Sequence, residues 1–297
     1  MVAVESSIGR SSLAVAHKKP LFGPGMLAAI LLAMPALVVL GVLFFYPLFM
    51  LFIQSFEGGS FASYIEIAEN PVYLSVFLKT FKIAAVVAAV DLVLAYPLAF
   101  YLARASNTAR AIGFFLVLLP LWTSQLVRTY AWMVLLGRNG VVNRALMGAG
   151  IIDAPLPLLN NEFAVVIGMS HILLPFMILP IYSAVAKLDR TLADAAYGMG
   201  ASPFQVIRRI YLPLTAPGIL AGVALVFVLS LGAFIMPALL GGGRVPVIPL
   251  LIEQQTTRFL NWPFSGALSA VLLLTVLLLF WLLNKAASHL AGGRANG

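Results

Sequence analysis

Long runs of apolar residues, separated by short polar stretches, dominate the chain from about residue 26 onward. Each run reaches the roughly 20 residues that an α-helix needs to cross a hydrocarbon core. The pattern therefore predicts an all-α integral membrane protein with six transmembrane helices. Their approximate bounds are 26–53, 73–103, 111–136, 163–186, 214–240 and 264–283.

The same pattern predicts three regions: an N-terminal tail (1–25), a six-helix membrane domain (26–290) and a C-terminal tail (291–297). The first apolar run is too long for the core of a signal peptide, and no small-residue cleavage site follows it. We therefore expect an uncleaved first span. The membrane domain also contains a polar loop, 187–213, between the fourth and fifth runs.

Composition agrees with this class and narrows the chemistry. Of 297 residues, 62% are hydrophobic and 9% are charged, whereas soluble domains carry about 25% charged residues. The chain has no cysteine, and it has no phosphate-binding G-x-x-x-x-G-K-[ST] loop, zinc-spaced His/Glu cluster or G-x-S-x-G elbow. We expect no catalytic residue, metal site or cofactor on this chain. ATP-driven transport would need a nucleotide site on another polypeptide.

The net charge of +8 could indicate a nucleic-acid partner, but in a membrane protein basic residues mainly reflect topology. Six spans place both termini on one side. The positive-inside rule predicts that this side, with loop 187–213, is cytoplasmic. Eleven of the 18 basic residues lie there: Arg10, Lys18, Lys19, Arg104, Arg110, Lys187, Arg190, Arg208, Arg209, Lys285 and Arg294.

Loop 187–213 has the pattern of a compact helix-turn-helix. Thr191 is the expected N-cap of the first helix, and Asp194 completes an acidic variant of the capping box. Gly198 and Gly200 favour a turn after it. Its apolar side would consist of Leu192, Ala195, Ala196 and Met199.

A second helix is predicted to begin at Ser202, with Pro203 at its first position. We expect Pro213 to prevent simple helical continuation into the fifth span. The apolar side of this second helix would consist of Phe204, Ile207, Ile210 and Tyr211. The small Ala and Gly residues of the loop would let another surface approach closely.

Loop 187–213 resembles the cytoplasmic coupling loop of bacterial ABC importer permeases, and it is called the coupling loop below. The family pattern is Glu-Ala-Ala, three residues, Gly, nine residues, Ile-x-Leu-Pro, and both spacings are kept here. Asp replaces Glu at the first position. The resemblance implies contact with an ATPase through Asp194, Ala195, Ala196, Gly200, Ile210, Leu212 and Pro213. The alternatives are a simple connection between two spans and, disfavoured by the membrane flanks, a DNA-binding motif.

Further segments resemble the spermidine/putrescine importer permease group, and within it the first of the two paired permeases. They are QLVRTYAW (125–132), GVVN (140–143), LPFMILPIY (174–182), LPLTAPGI (212–219) and NWPF (261–264). The group shares the type I ABC importer permease fold. Its motifs mark the scaffold and do not fix the solute, because relatives carry opines, other small organic cations or ferric iron.

This resemblance implies an assembly in the bacterial inner membrane. The expected partners are a second permease subunit, a dimer of ATPase subunits that binds ATP and magnesium, and a periplasmic substrate-binding protein. No nucleic acid is expected. The alternative class is a secondary transporter or channel working alone. Repeated halves or an acidic proton relay would favour it, and the sequence shows neither.

Polar residues inside the predicted spans are candidates for the solute pathway, since charge in a membrane is costly and usually functional. Asp91 lies midway along the second span. The other candidates are Gln125, Arg128, Tyr130, Trp132 and Ser230, with Gly232 and Pro237 able to open the backbone nearby. Interhelical hydrogen bonding is the alternative role for all of them. Arg128 would repel a cation, so pairing with an acid or contact with the binding protein is its alternative. His171 is expected to be a hydrogen-bonded bundle residue.

Overall fold

The computed structural model describes residues 24–56, 60–189 and 191–292, with side chains from 31 to 281 within those ranges. Most of the predicted N-terminal tail and the last five residues lie outside the described residues. So do Arg10, Lys18, Lys19, Arg190 and Arg294, which contributed to the topology prediction. The chain divides into two compact units, Met1–Met50 and Leu51–Gly297. Within the first unit, the described part is helical from Pro24 onward.

Every regular element among the described residues is a helix. The helices are α1 (Pro24–Gln54), α2 (Ala62–Glu69), α3 (Pro71–Arg104), α4 (Asn107–Trp122), α5 (Gln125–Leu136), α6 (Val141–Gly148), α7 (Glu162–Val185), α8 (Thr191–Gly198), α9 (Pro203–Val206), α10 (Leu212–Leu231), α11 (Ile235–Leu240), α12 (Ile248–Thr257) and α13 (Trp262–Gly292). A π-helical segment, Ile207–Tyr211, joins α9 to α10.

Five stretches of the described chain are long and apolar enough to span a membrane, and a sixth span arises if one bent helix pair is counted together. This agrees with the six predicted spans and confirms the all-α membrane class. The bent pair corresponds to the predicted third span.

The prediction of one continuous third span over 111–136 is wrong. The helix ends at Trp122 and restarts at Gln125, with a bend of 100° between the two parts. Thr123 has extended backbone, and its hydroxyl donates to the Pro120 carbonyl at 3.0 Å. This side-chain bond satisfies a carbonyl at the helix end, where Thr and Ser compete with helix continuation. The predicted fifth span, 214–240, is likewise interrupted at residues 232–234, between α10 and α11.

The core of the second unit is formed by α3, α7 and α10. Gly218 and Gly222 of α10 allow the closest approach to α7. A Cβ atom at Gly218 would lie 2.7 Å from the Pro180 carbonyl oxygen, and one at Gly222 would lie 2.8 Å from the Met177 Sδ. Small residues that permit close helix contact are typical of membrane bundles. These three helices therefore form a rigid frame on which the loops are mounted.

The end of this frame opposite the coupling loop is held by specific polar contacts. Lys82 of α3 forms an ion pair with Glu162 at the start of α7, at 2.7 Å. The buried Asn143 side chain donates to the carbonyls of Gly137 and Leu156 and accepts from the Leu156 backbone N–H at 2.9 Å. These bonds hold the loop between α6 and α7 in place, because a buried amide without hydrogen bonds would destabilise the folded state.

Candidate functional site

The coupling loop folds as the predicted helix-turn-helix, with one difference at its start. Thr191 is the first residue of α8 and not its cap. The Asp189 carboxylate accepts the Thr191 backbone N–H at 2.9 Å, which satisfies a free donor of the helix start. This bond lowers the pKa of the exposed Asp189. The predicted capping box from Thr191 to Asp194 is therefore wrong, and Asp194 is exposed on the first turn.

The second helix begins as predicted. Ser202 and Gln205 form a reciprocal capping box, with the Ser202 N–H donating to Gln205 Oε1 at 2.9 Å, and Pro203 occupies the first turn. Between the two helices, Gly200 has φ +83°, a conformation that side-chain-bearing residues rarely adopt. Ser202, Gln205 and Gly200 thus define the turn between the helices.

As predicted, the chain does not continue through Pro213 as a simple α-helix: it stays helical, but a π-helical segment precedes the proline. The chain runs from Pro203 to Leu231 as one helical span. Pro213 lies in the first turn of α10, directly after the π-helical segment, where the Leu212 N–H donates to the Ile207 carbonyl five residues earlier. The wider π turn accommodates the proline, which has no N–H for an α-helical bond. The coupling loop is therefore continuous with a membrane helix.

The two sides of α8 differ from the prediction at one position. Ala196 is only 6% exposed and packs in a small core with Ala193, Val206 and Tyr211. The outward face consists of Leu192, Ala195 and Met199, with Met199 83% exposed. Ala196 was predicted on this outer side, but the helix is rotated so that it supports the turn. Phe204, Ile207 and Leu212 of the second helix are also exposed, whereas Ile210 is half-buried.

A polar and aromatic contact joins the second helix of the loop to α3. Arg104, the last residue of α3, donates from Nη2 to the Tyr211 hydroxyl at 2.6 Å. Its guanidinium lies over the rings of Phe100 and Tyr211, 5.0 and 4.9 Å from the centroids. The two rings meet edge to face at 5.1 Å. No local pattern indicates this contact, because Arg104 and Tyr211 are 107 residues apart.

An open cavity of about 410 Å³ lies beside the break between α10 and α11. Of the predicted pathway residues, Gln125 lines it, together with Gly232. Met169 and Phe176 of α7 and Met236 of α11 provide apolar walls. The backbone opens at 232–234, where glycine was expected to permit it. A cavity at membrane depth with a non-helical wall is typical of solute pathways in transporters.

The other predicted residues of α5 have separate environments. The Trp132 indole N–H donates to His171 Nδ1 at 3.3 Å, which agrees with the expected bundle role of His171. Arg128 is partly buried, and its Nε and Nη1 atoms have no acceptor among the described residues. Tyr130 is exposed on the opposite side of the helix. The structure thus does not gather all of these side chains at the cavity.

Asp91 is completely buried, at 0% exposure, in the middle of α3. Neither of its carboxylate oxygens has a hydrogen-bond partner among the described residues, and the nearby Ser170 hydroxyl of α7 is also without one. Asp91 does not line the cavity. Ser230, another predicted pathway residue, is buried, and its hydroxyl donates to the Val226 carbonyl at 2.7 Å. Ser170 follows Met169, which lines the cavity, but neither Ser170 nor Asp91 lines it. Ser170 was not among the predicted residues, since a lone Ser in an apolar helix carries no distinctive signal.

These features define a class: a helical membrane transport subunit that presents an exposed helical loop between two spans. Residues 24–287 match the family model described as the binding-protein-dependent transport system inner membrane component, and the chain belongs to that family. It is therefore the permease subunit of an ABC importer, and not an enzyme.

Individual relatives agree with this assignment. The chain is 41% identical to the spermidine/putrescine transport system permease protein PotB of Haemophilus influenzae over 73% of this chain and 76% of that protein. It is 34% identical to the inner membrane ABC transporter permease protein YdcU of Escherichia coli, over 70% of each chain.

Solved structures share the fold at low identity. A chain of a bacterial alginate ABC transporter, in complex with its alginate-bound periplasmic protein, superposes with a TM-score of 0.73 and 18% identity over 88% of this chain and 93% of that one. A chain of the MetNI methionine ABC transporter in an inward-facing conformation gives 0.54 and 16%, over 73% and 95%.

Proposed function

We propose that this permease subunit imports a polyamine such as spermidine or putrescine, driven by a separate ATPase. The observation that carries the solute assignment is the 41% identity with a spermidine/putrescine permease over most of both chains. ATP and magnesium would bind to the ATPase partner. A second permease subunit and a periplasmic binding protein would complete the importer, which would lie in the bacterial inner membrane.

The ATPase would dock on the outward face of the coupling loop. Leu192, Ala195 and Met199 form an exposed apolar strip on α8, next to the exposed Phe204 and Ile207. Exposed apolar patches in water commonly mark interaction sites.

Docking of a cytoplasmic ATPase on this face requires the coupling loop and both termini to be cytoplasmic. A topology reporter fused after Arg209 should then read cytoplasmic, and one near Asp153 should read periplasmic; opposite readings at both sites would overturn the orientation.

The binding protein would dock at the other end of α7. There, Arg138 and Arg244 line a cavity of about 290 Å³, and neither guanidinium has a hydrogen-bond or ion-pair partner among the described residues. Gly242 (φ +54°) packs against Asn160 so closely that a Cβ would meet the Asn160 side chain. The cavity therefore carries positive charge from Arg138 and Arg244, which suits a carboxylate on the docking protein.

Asp91 is proposed to assist a cationic solute in a conformation that opens the contact between α3 and α7. Its buried carboxylate has the Ser170 hydroxyl nearby but no bond of normal geometry and no opposite charge among the described residues, and such a group is costly unless charge or water meets it. The unpaired Arg128 near Trp132 and His171 favours a second candidate solute, one that also carries an acidic group, such as an opine.

Uptake by the reconstituted importer tests the solute directly. The full complex with its binding protein would be placed in vesicles of equal complex content, and labelled spermidine uptake would be measured with unlabelled competitors. We expect putrescine and spermidine to compete, and an amino-acid-derived opine to have little effect. Uptake that only the opine or ferric iron suppresses would replace the polyamine assignment.

A further inference from the structure

We propose that Arg104 and Tyr211 act as a positioning latch that transmits movement of the coupling loop to α3. The latch consists of Tyr96, Phe100 and Arg104 on α3 and Tyr211 and Thr215 on the loop side. The inference rests on the proposed docking of the ATPase on the coupling loop. It assigns a role to side chains that the coupling-loop motif does not specify, among them Tyr211 between the matched Ile210 and Leu212.

Spacing along α3 places the three latch residues on one side of that helix. Tyr96, Phe100 and Arg104 are four residues apart, so they face the same direction. The Tyr96 and Phe100 rings lie 5.0 Å apart, and Phe100 then meets Tyr211. The Tyr96 hydroxyl also lies 3.4 Å from the Thr215 hydroxyl. Thr215 in turn donates to the Tyr211 carbonyl at 2.7 Å. The contact therefore extends over two turns of α3.

The π-helical segment explains how Tyr211 comes to face α3. An extra residue in a helical turn rotates everything beyond it by about 100° relative to a regular α-helix. Tyr211 ends this segment and is only 7% exposed, whereas Ile207 at its start is exposed. Single π turns are rare in proteins, and those that occur are often found at functional sites. Here the turn directs Tyr211 to the Arg104 guanidinium at the end of α3.

The interactions in the latch are directional, so they can transmit a movement of the coupling loop to α3 and do more than bury apolar surface. Arg104 combines a short hydrogen bond with contacts to two ring faces, so both ends of the contact are fixed in direction. The π-helical segment is continuous with α10, and α3 carries Asp91. A displacement of the docked loop would therefore move α3 together with α10.

The first test removes single elements of the latch. Tyr211→Phe removes the hydroxyl and keeps the ring, and Arg104→Lys keeps the charge and loses the planar guanidinium. The control is Arg110→Gln, because the Arg110 side chain donates to Asn107 on its own helix and, among the described residues, has no hydrogen bond or ion pair with α3 or the coupling loop. In vesicles with equal complex content, we expect the latch variants to lower uptake per ATP hydrolysed by about fivefold or more, the lower range of allosteric coupling. The control should transport normally.

The second test restores the connection covalently. The chain has no cysteine, so Arg104→Cys with Tyr211→Cys creates a unique pair. Bridging the pair with a short bis-methanethiosulfonate reagent, which forms a disulfide with each cysteine and releases a sulfinate each time, should recover coupled uptake. Reduction of the two disulfides should abolish it again. Normal coupling in Tyr211→Phe and Arg104→Lys would overturn the latch, as would a bridged pair that stays uncoupled. If ATPase docking itself were wrong, Ala195→Trp would also transport normally, which separates the two failures.

Discussion

The coupling loop and the middle of the membrane domain treat their polar groups differently. In the loop, Asp189 bonds to Thr191, and Ser202 bonds to Gln205. In the membrane domain, the carboxylate of Asp91 and two nitrogens of Arg128 are without partners among the described residues. Unpaired buried charge is far more costly than an unpaired group in water. The loop is thus already formed in this subunit, whereas the membrane domain contains buried polar atoms without hydrogen-bond partners, which we propose a partner or a solute would meet.

The largest effect is expected from a substitution in the small core of the coupling loop, which tests whether the loop is already formed in this subunit. Ala196→Trp would force a large ring into the core with Ala193 and Val206, and overpacking of this kind costs about 1–3 kcal/mol or more. We expect loss of uptake and a lower thermal unfolding midpoint of the purified subunit. Ala195→Trp, on the outer face, is the matched control. It should leave the midpoint unchanged while it prevents copurification of the ATPase.

A smaller effect is expected at Asp91, where Asn keeps the size and removes the charge. If a cationic solute uses this carboxylate, Asp91→Asn should slow uptake about tenfold, which corresponds to about 1.4 kcal/mol. Complex content and the solute affinity of the isolated binding protein should not change. Uptake at the normal rate in vesicles with equal complex content would remove Asp91 from the pathway. Loss of the complex from the membrane would assign it a structural role.

The smallest effect is expected at Asp189, which is fully exposed. Its pKa is lowered by the bond to the Thr191 N–H, so the folded loop favours the carboxylate. Its contribution is present above the unfolded pKa of about 4 and is lost as the pH falls through the lower folded value. Asp189→Asn should therefore be slightly less stable than the parent at pH 7, and the difference should shrink as the pH falls below about 4. Thermal unfolding of the purified subunit across this range would measure the difference. A constant difference across the range would contradict the role of the charge.

Sequence alone was sufficient where a residue type directly determines backbone geometry. The apolar runs predicted the spans, and Ser202, Pro203 and Gly200 predicted the turn of the coupling loop. The break at Thr123 was missed because a side-chain bond to a carbonyl, and not the nearby proline alone, ends the helix there. The burial of Ala196 was missed because the rotation of a short helix depends on what it packs against. The contact between Arg104 and Tyr211 depends on tertiary structure and on a π turn that no local pattern indicates.

Cysteine labelling of the coupling loop tests the central claim most directly, namely that the loop is preformed and docks through its outer face. The cysteine-free chain allows Ala195→Cys and Ala193→Cys to be compared one at a time. In the purified subunit alone, we expect a water-soluble thiol reagent to modify position 195 quickly and the buried position 193 slowly. Adding the ATPase should protect position 195 and leave position 193 unchanged. Equal rates at both positions, or no protection of position 195 in an assembled and active complex, would contradict the account.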